Sequence, residues 1–235
     1  MSTMDRPRYF PATRDLYETF IDEITAIGGV VPDVHDDGER LFARAVLPVH
    51  TDVRPGDPVR GGVAVRATGS ELLVHPYTFR QVCTNGAIAA HALETRRLER
   101  VPGSDVIAPD YEVSVVMTDF RLAVQACAAK DAFERTAGEM RSAASIQADM
   151  AINLMSALMQ AGGFAVQQFV PMIFESFAAQ EDRTVFGFMN AVTSVARTVP
   201  DPEVRWRLEE LGGGIPAQLV PKPKTTPSAV LMSAS

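Results

Sequence analysis

The hydrophobic period changes once along this chain, and that change restricts it to a mixed fold. Between Val30 and Phe79 the apolar residues alternate, or run in short bursts between turn residues; from residue 113 onward they recur every three to four positions. Alternation places successive side chains on opposite faces of a strand, whereas a spacing of three to four gathers them on one face of a helix. The expectation is an α+β fold: an N-terminal helix and a small antiparallel sheet of about four strands, followed by a mostly helical C-terminal half. The stretch Tyr77-Thr78-Phe79-Arg80-Gln81-Val82-Cys83-Thr84-Asn85-Gly86 stands at the change of period.

Taken in order, residues 1–12 carry two prolines and little periodicity, and read as a flexible N-terminus. Leu16, Phe20, Ile21 and Ile24 mark one face of a helix over 13–27, stopped by Gly28-Gly29. Asp36-Asp37-Gly38 predicts the turn of a hairpin with strands near 30–35 and 40–48. His35-Asp36-Asp37 has no third ligand at metal spacing, so turn chemistry accounts for it. Residues 50–58 read as a loop, with Pro58 expected outside a central strand. Strands follow over 59–67 and 72–79, with Pro76 at an edge or bulge. A helix is expected to open at Asn85, and residues 94–103 read as a solvated helix end, followed by a loop over 104–112. Further helices are expected over 113–137, 140–159, 164–179 with a kink or a division at Pro171, 185–199 and 203–211. Gly212-Gly213-Gly214 reads as a helix stop, and residues 216–235, with four prolines, as a disordered tail. Residues 13–215 are therefore taken as one α+β domain, sheet-rich over 13–84 and helical over 85–215.

Composition narrows the function classes. The 235 residues are 46% hydrophobic and 22% charged, with a net charge of −7. Proteins that coat duplex nucleic acid are usually basic, because phosphate neutralisation supplies most of their affinity. A local groove remains compatible with this balance. Positive charge is almost all arginine, with lysine only at positions 130, 222 and 224. No apolar run approaches the ~20 residues of a membrane span, and the first residues lack the apolar core of a secretory leader. Two cysteines, Cys83 and Cys127, fit a reducing cytoplasmic setting and no disulfide framework.

The sharpest site reading lies at the change of period. With a helix opening at Asn85, capped by Thr84 or Asn85, its free amides and Arg80 would hold a phosphate or carboxylate. The competing reading makes Arg80 a structural ion pair and Asn85 a cap. Arg96, Arg97 and Arg100 form the most basic short stretch before the tail. Cysteine, histidine and acidic spacing matches no metal site, and neither Gly61-Gly62 nor Gly212-Gly213-Gly214 is a phosphate loop. No metal and no cofactor is expected, and no residue carries a catalytic assignment.

The run Val74-His75-Pro76-Tyr77 through Arg80-Gln81-Val82-Cys83-Thr84-Asn85-Gly86 resembles a signature of the domain of unknown function nine hundred and thirty-two, seen in phage- and plasmid-like proteins. Asn190-Ala191-Val192-Thr193-Ser194-Val195-Ala196-Arg197, before a helix ending Leu-Glu-Glu-Leu-Gly-Gly, is similar to that family's C-terminal region. The resemblance covers roughly residues 55–215. Cys83, Thr84, Asn190, Thr193 and Arg197 match without carrying a known role. The resemblance implies a place near the nucleic acid of a mobile element.

Three functions follow as expectations. The first is a non-enzymatic nucleic-acid-associated factor, binding single strands as an oligomer, with Tyr77 and Phe79 stacking and Arg80, Arg96, Arg97 and Arg100 contacting phosphates, beside Asn85 and Gly86. The second is a protein-interaction or structural module that self-associates or takes another protein. The third is an enzyme built on Cys83 with His75 or His91.

Overall fold

The structure is a computed structural model that describes residues 10–69, 71–80, 85–99, 109–148, 156 and 166–220. Helix α1 (Thr13–Ala26) leads into strands β1 (Val30–Asp36), β2 (Leu41–Arg54), β3 (Asp57–Thr68), β4 (Glu71–Arg80), β5 (Asn85–Ile88) and β6 (Arg96–Glu99). Five further helices follow among the described residues: α2 (Pro109–Ala128), α3 (Lys130–Ala144), α4 (Val170–Ala179), α5 (Val185–Thr198) and α6 (Pro202–Leu219). The mixed architecture matches the expectation, but the sheet has six strands where the sequence predicts about four.

The strands run antiparallel in the order β1-β2-β3-β4-β5, and β6 shares the outer side of β4 with β5. Strand β6 pairs with residues 71–74 and β5 with residues 77–80. Pro76 falls in the gap between them, opposite Val63 of β3. Its missing N–H is therefore not required by a partner on that side, while its carbonyl accepts from Ala89 N at 2.9 Å. Pro58, expected outside a central strand, is in β3 opposite Asp52. It is tolerated because β4 begins to pair only at Val59, which leaves Pro58 beyond that strand's end. The expected loop over 50–58 shrinks to the turn at Pro55-Gly56, where Gly56 takes φ 78°.

The sheet is covered on both faces. On the first, Leu41, Ala43, Val63, Val65, Leu72 and Val74 pack against Leu16, Phe20 and Ile24 of α1 and Phe120, Val124 and Cys127 of α2. On the second, Phe42, Ala64, Leu73, Tyr77 and Ile88 pack around Trp206 of α6. A third apolar cluster gathers α3, α4, α5 and α6 against Val53, Val59 and Ala87 at one end of the sheet. Burying an aliphatic or phenylalanine side chain stabilises by about 1.5–3 kcal/mol, so these three clusters hold the layers together.

Several expected boundaries move. Pro109 begins α2 instead of lying in a loop, and the break before α3 falls at Ala129, not Gly138. Helix α3 ends at Ala144, which breaks the helix expected over 140–159; residues 149–155 and 157–159 of that expectation lie outside the described residues. Pro171 lies in the first turn of α4, where its missing N–H costs nothing; residues 166–167 are helical and 168–169 form a turn, so the expected helix is divided just before Pro171 and not kinked at it. The helix predicted to stop at Leu211 runs on to Leu219, with Gly212, Gly213, Gly214 and Pro216 inside it. Residues 216–219 therefore belong to α6 and not to a tail. At the other end Phe10 packs partly on the first-face core, although residues 10–12 are expected to be flexible.

Candidate functional site

The stretch at the change of period forms a hairpin. Asn85, Gly86, Ala87 and Ile88 pair with Arg80, Phe79, Thr78 and Tyr77 respectively. The expected helix at Asn85, and with it the helix-terminus anion site, is replaced by strand β5. The physical reason lies in Tyr77: a Cβ on Gly86 would stand 1.7 Å from its hydroxyl oxygen, so Gly86 is the space in which the phenol ring rests. Tyr77 is 5% exposed and cannot offer a face for base stacking as it stands. Phe79 is half-buried. Cys83, Thr84 and Arg100 lie outside the described residues.

Arg80 follows the structural alternative. Its Nε and Nη2 donate to the two carboxylate oxygens of Asp57 at 2.6 and 2.7 Å, and the guanidinium lies 5.4 Å from the Phe186 ring centre. Arg54 approaches the same ring at 5.6 Å. It donates to Asp182 Oδ2 at 2.7 Å, to Thr184 Oγ1 at 2.7 Å and to Ala144 O at 3.0 Å. Thr184 caps α5 by accepting from Gly187 N. The two arginines thus clasp the tip of the β2–β3 hairpin and the end of β4 to the start of α5. Burial raises the Asp182 carboxyl, but hydrogen bonds from Thr184 and Arg54 outweigh it and hold the group below its ordinary value.

The residues of the second motif divide. Asn190 and Thr193 are buried in α5, Thr193 donating back to the Met189 and Asn190 carbonyls, whereas Arg197 is exposed. The surface of α5 that carries Thr193 meets α6: a Cβ on Gly212 would lie 2.5 Å from Thr193 Cγ2.

The polar chemistry that the fold does assemble lies between the second face of the sheet and α6. Arg44 of β2 donates through Nε to Glu209 Oε2 at 2.6 Å and through Nη1 to Asp33 Oδ2 at 3.2 Å. Arg205 reaches Glu209 Oε1 at 3.1 Å and Asp33 Oδ2 at 2.8 Å. These four charges form a closed ring around fully covered Arg44 and Glu209. Burial pushes the Glu209 carboxyl upward against the pull of Arg44 and Arg205. Burial also drives the Tyr77 phenol upward, and the Glu209 charge adds to it.

Beside the ring runs an open ladder of alternating charge. Arg66 of β3 donates to Glu71 through Nη1, and to Glu203 of α6 through Nε and Nη2 at 2.9 and 2.8 Å. Arg97 of β6 continues it at one end, 3.3 Å from Glu71 Oε1, and Arg207 at the other, 3.1 Å from Glu203 Oε1. The Arg97 and Arg207 side chains are 59% and 52% exposed. Arg66, Arg97 and Arg207, together with Glu71, Glu203, Trp206, Glu210 and Gln218, line an open cleft of about 420 Å³.

The buried polar atoms on the second face of the sheet that have no hydrogen-bond partner include Trp206 Nε1 and His75 Nε2. Thr95 Oγ1 donates to Ala89 O, so its lone pairs face His75 Nδ1 at 3.1 Å and make Nδ1 the donor. His75 Nε2 then faces Glu210 Oε1 at 3.4 Å, outside hydrogen-bond geometry. A buried polar group left without a partner costs roughly 1–3 kcal/mol.

Of the expected binding residues that are described, only Arg97 lines this cleft, and Arg96, on the same exposed strand, donates to Leu93 O and Thr95 O. Of the expected helix end over 94–103, Arg96–Glu99 is strand β6, and residues 100–103 lie outside the described residues. Arg66, Glu203, Arg207 and Glu210 are not among the residues expected from the sequence. The spacing of Glu203, Arg207 and Glu210 at i, i+4 and i+7 is the one signal that could have placed them on a common helical face. Of the histidines weighed as partners of Cys83, His75 is buried and His91 lies 2.7 Å from Glu139 of α3. Burial pushes the Cys127 thiol up to about 12, against the opposing charge of Arg96, which leaves it a packing residue of the first-face core. Among the described residues, no helix is long and apolar enough to cross a membrane.

No family model, no curated protein and no solved structure matches the chain.

Proposed function

We propose that this chain is a non-enzymatic factor associated with the nucleic acid of a phage- or plasmid-like element, and that it engages single strands, as an oligomer, along the rim of the charge ladder. The observation that carries the reading is the pair of exposed guanidiniums, Arg97 and Arg207, on the two sides of one cleft, with Arg96 beside the first. Arginine forks match phosphate oxygens in two-point contacts, so such a rim tracks a sugar-phosphate backbone. The net charge of −7 confines the contact to this local surface.

Fluorescence anisotropy of labelled single-stranded DNA and RNA tests it, at low and at physiological salt. We expect binding that weakens steeply with salt. Arg96→Ala plus Arg97→Ala should lower the affinity and make the logarithmic salt slope shallower by about 0.7 for each phosphate that is no longer neutralised. Unchanged affinity in that double variant removes the patch assignment.

The burial of Tyr77 favours a second reading, a protein-interaction module, because it withdraws the aromatic face that stacking needs. That reading expects no nucleic-acid binding even at low salt, and a discrete oligomer or a captured protein partner instead.

A further inference from the structure

We propose that the second face of the sheet carries a nucleotide-binding row at the end away from the charge ladder, with a phosphate held by Arg60 and its base stacked on Phe79. The inference deepens the reading above by naming the residues that meet a base, and it rests on that reading for the choice of a nucleic-acid strand as ligand.

Strand register sets the row. Arg60 of β3 pairs with His50 of β2 on one side and with Phe79 of β4 on the other. Directly opposed residues share a face, their Cβ atoms about 4.5–5.5 Å apart. Side chains alternate along a strand, so Arg60 shares its face with Ala64, and Phe79 with Tyr77. Arg66 of the ladder lies further along β3, about 20 Å away at the rise of a strand. Trp206 of α6 packs on Ala64 between them.

The first argument is the state of Arg60. Alone among the described arginines, it has no hydrogen bond, ion pair or ring contact. Its Nε is covered, whereas neither Nη is, so the outer edge of the fork reaches solvent. Asp52, two residues beyond His50 on the neighbouring strand, accepts from the Gly56 amide at 3.3 Å and not from Arg60. An anion can therefore take this guanidinium without breaking an existing pair.

The second argument is what stands beside it. Phe79 is half-buried, packs partly on the cluster around Trp206, and takes part in no ring contact among the described residues. His50 is exposed and donates through Nδ1 to Pro48 O at 3.3 Å, which makes Nε2 an acceptor in the neutral ring. A cation, an apolar ring and a polar imidazole in one row match the phosphate, base and sugar of a nucleotide. A bare anion uses only the first of them.

The experiment measures anisotropy of labelled oligothymidine on the full chain across a salt series, beside an abasic sugar-phosphate oligomer of the same length. Arg60→Gln should weaken oligothymidine binding about tenfold, because hydrogen bonds to a charged group are lost. It should also make the logarithmic salt slope shallower by about 0.7, whereas Arg60→Lys should keep the parent's slope. Phe79→Leu should weaken oligothymidine binding about tenfold at an unchanged slope, and leave the abasic oligomer bound as in the parent. Both Arg60 variants should keep the parent's thermal unfolding profile, since no ion pair is removed.

Unchanged affinity in Arg60→Gln overturns the row. So do equal losses in Arg60→Gln and Arg60→Lys at the parent's slope, which mark a packing role. Phe79→Leu weakening both oligomers alike overturns the stacked base. The Arg96→Ala plus Arg97→Ala variant separates this inference from the reading above. If that variant loses affinity and Arg60→Gln does not, the strand reading stands and the row falls. The converse keeps the row and removes the rim of the ladder. A parent that binds neither oligomer removes both.

Discussion

A methyl group added at position 213 would stand 2.1 Å from the carbonyl oxygen of Ile88, whereas one added at 214 would meet nothing closer than Gln218 Nε2 at 3.7 Å. Two adjacent glycines in one helix therefore carry opposite meanings. Gly213 allows α6 to lie directly against the backbone of β5, and Gly214 only lowers helix propensity. Gly213→Ala should lose about 1–3 kcal/mol through overpacking, or more because the obstacle is backbone. Gly214→Ala should gain up to about 1 kcal/mol, the ordinary advantage of alanine over glycine inside a helix. Urea unfolding of the two variants checks the pair, and equal destabilisation would remove the account of close approach. This contrast is not legible in the sequence, where three consecutive glycines after Leu211 carry the usual mark of a helix end. What keeps them helical is packing against β5 and α5, elements far away along the chain. Gly86 shows the same limit: Asn-Gly reads as a helix start with its cap until Tyr77 is seen to occupy the space above the glycine.

Among the elements, α6 bears the strongest dependence on a partner. It meets the sheet through Trp206 and through the Arg44–Glu209 pair, both sealed from solvent. Removing one member of such a pair strands a buried charge, and Glu209→Leu should cost about 3–5 kcal/mol. Replacing both by apolar residues, Arg44→Met with Glu209→Leu, should recover most of that loss, because the desolvation of the pair disappears with it. A thermal unfolding series on the single and double variants decides, and a double variant no more stable than Glu209→Leu would break the coupling. The helices of the second half are legible as such because their apolar positions keep a helical period over many residues. Strands β5 and β6 are not. Each is four residues long, too short for alternation to register, and each exists because β4 offers it an open side. The basic stretch at 96–97 is legible as a surface feature, yet its partners Arg66 and Arg207 come from elements that only the folded chain brings beside it.

At the scale of the whole molecule, acid should act through a small number of identified carboxylates. Asp37 is lowered to about 2: burial raises it, but the hydrogen bonds from the Arg40 side chain and from the Arg40 and Glu39 amides, with the Arg40 charge, together override that rise. Asp182 is also held below its ordinary value. A carboxyl depressed in the folded state adds stability above its unfolded value near pH 4, and loses it as pH falls through the folded value. Melting temperature should therefore fall as pH drops from 4 toward 2, and Asp182→Asn should flatten part of that decline. A variant whose acid limb is as steep as the parent's would take Asp182 out of the clasp's energetics. The clasp and the first-face core need only α1, the strands and the middle helices. The second face of the sheet waits for α6, which is translated after every strand it covers. Without α6, Phe42, Leu73, Tyr77 and the Arg44 guanidinium would lie bare on a sheet whose other side is closed by α1 and α2. A nascent chain whose sheet forms before α6 emerges would be half-clad, and would show a chaperone or a neighbouring ribosome's product the surface that α6 seals.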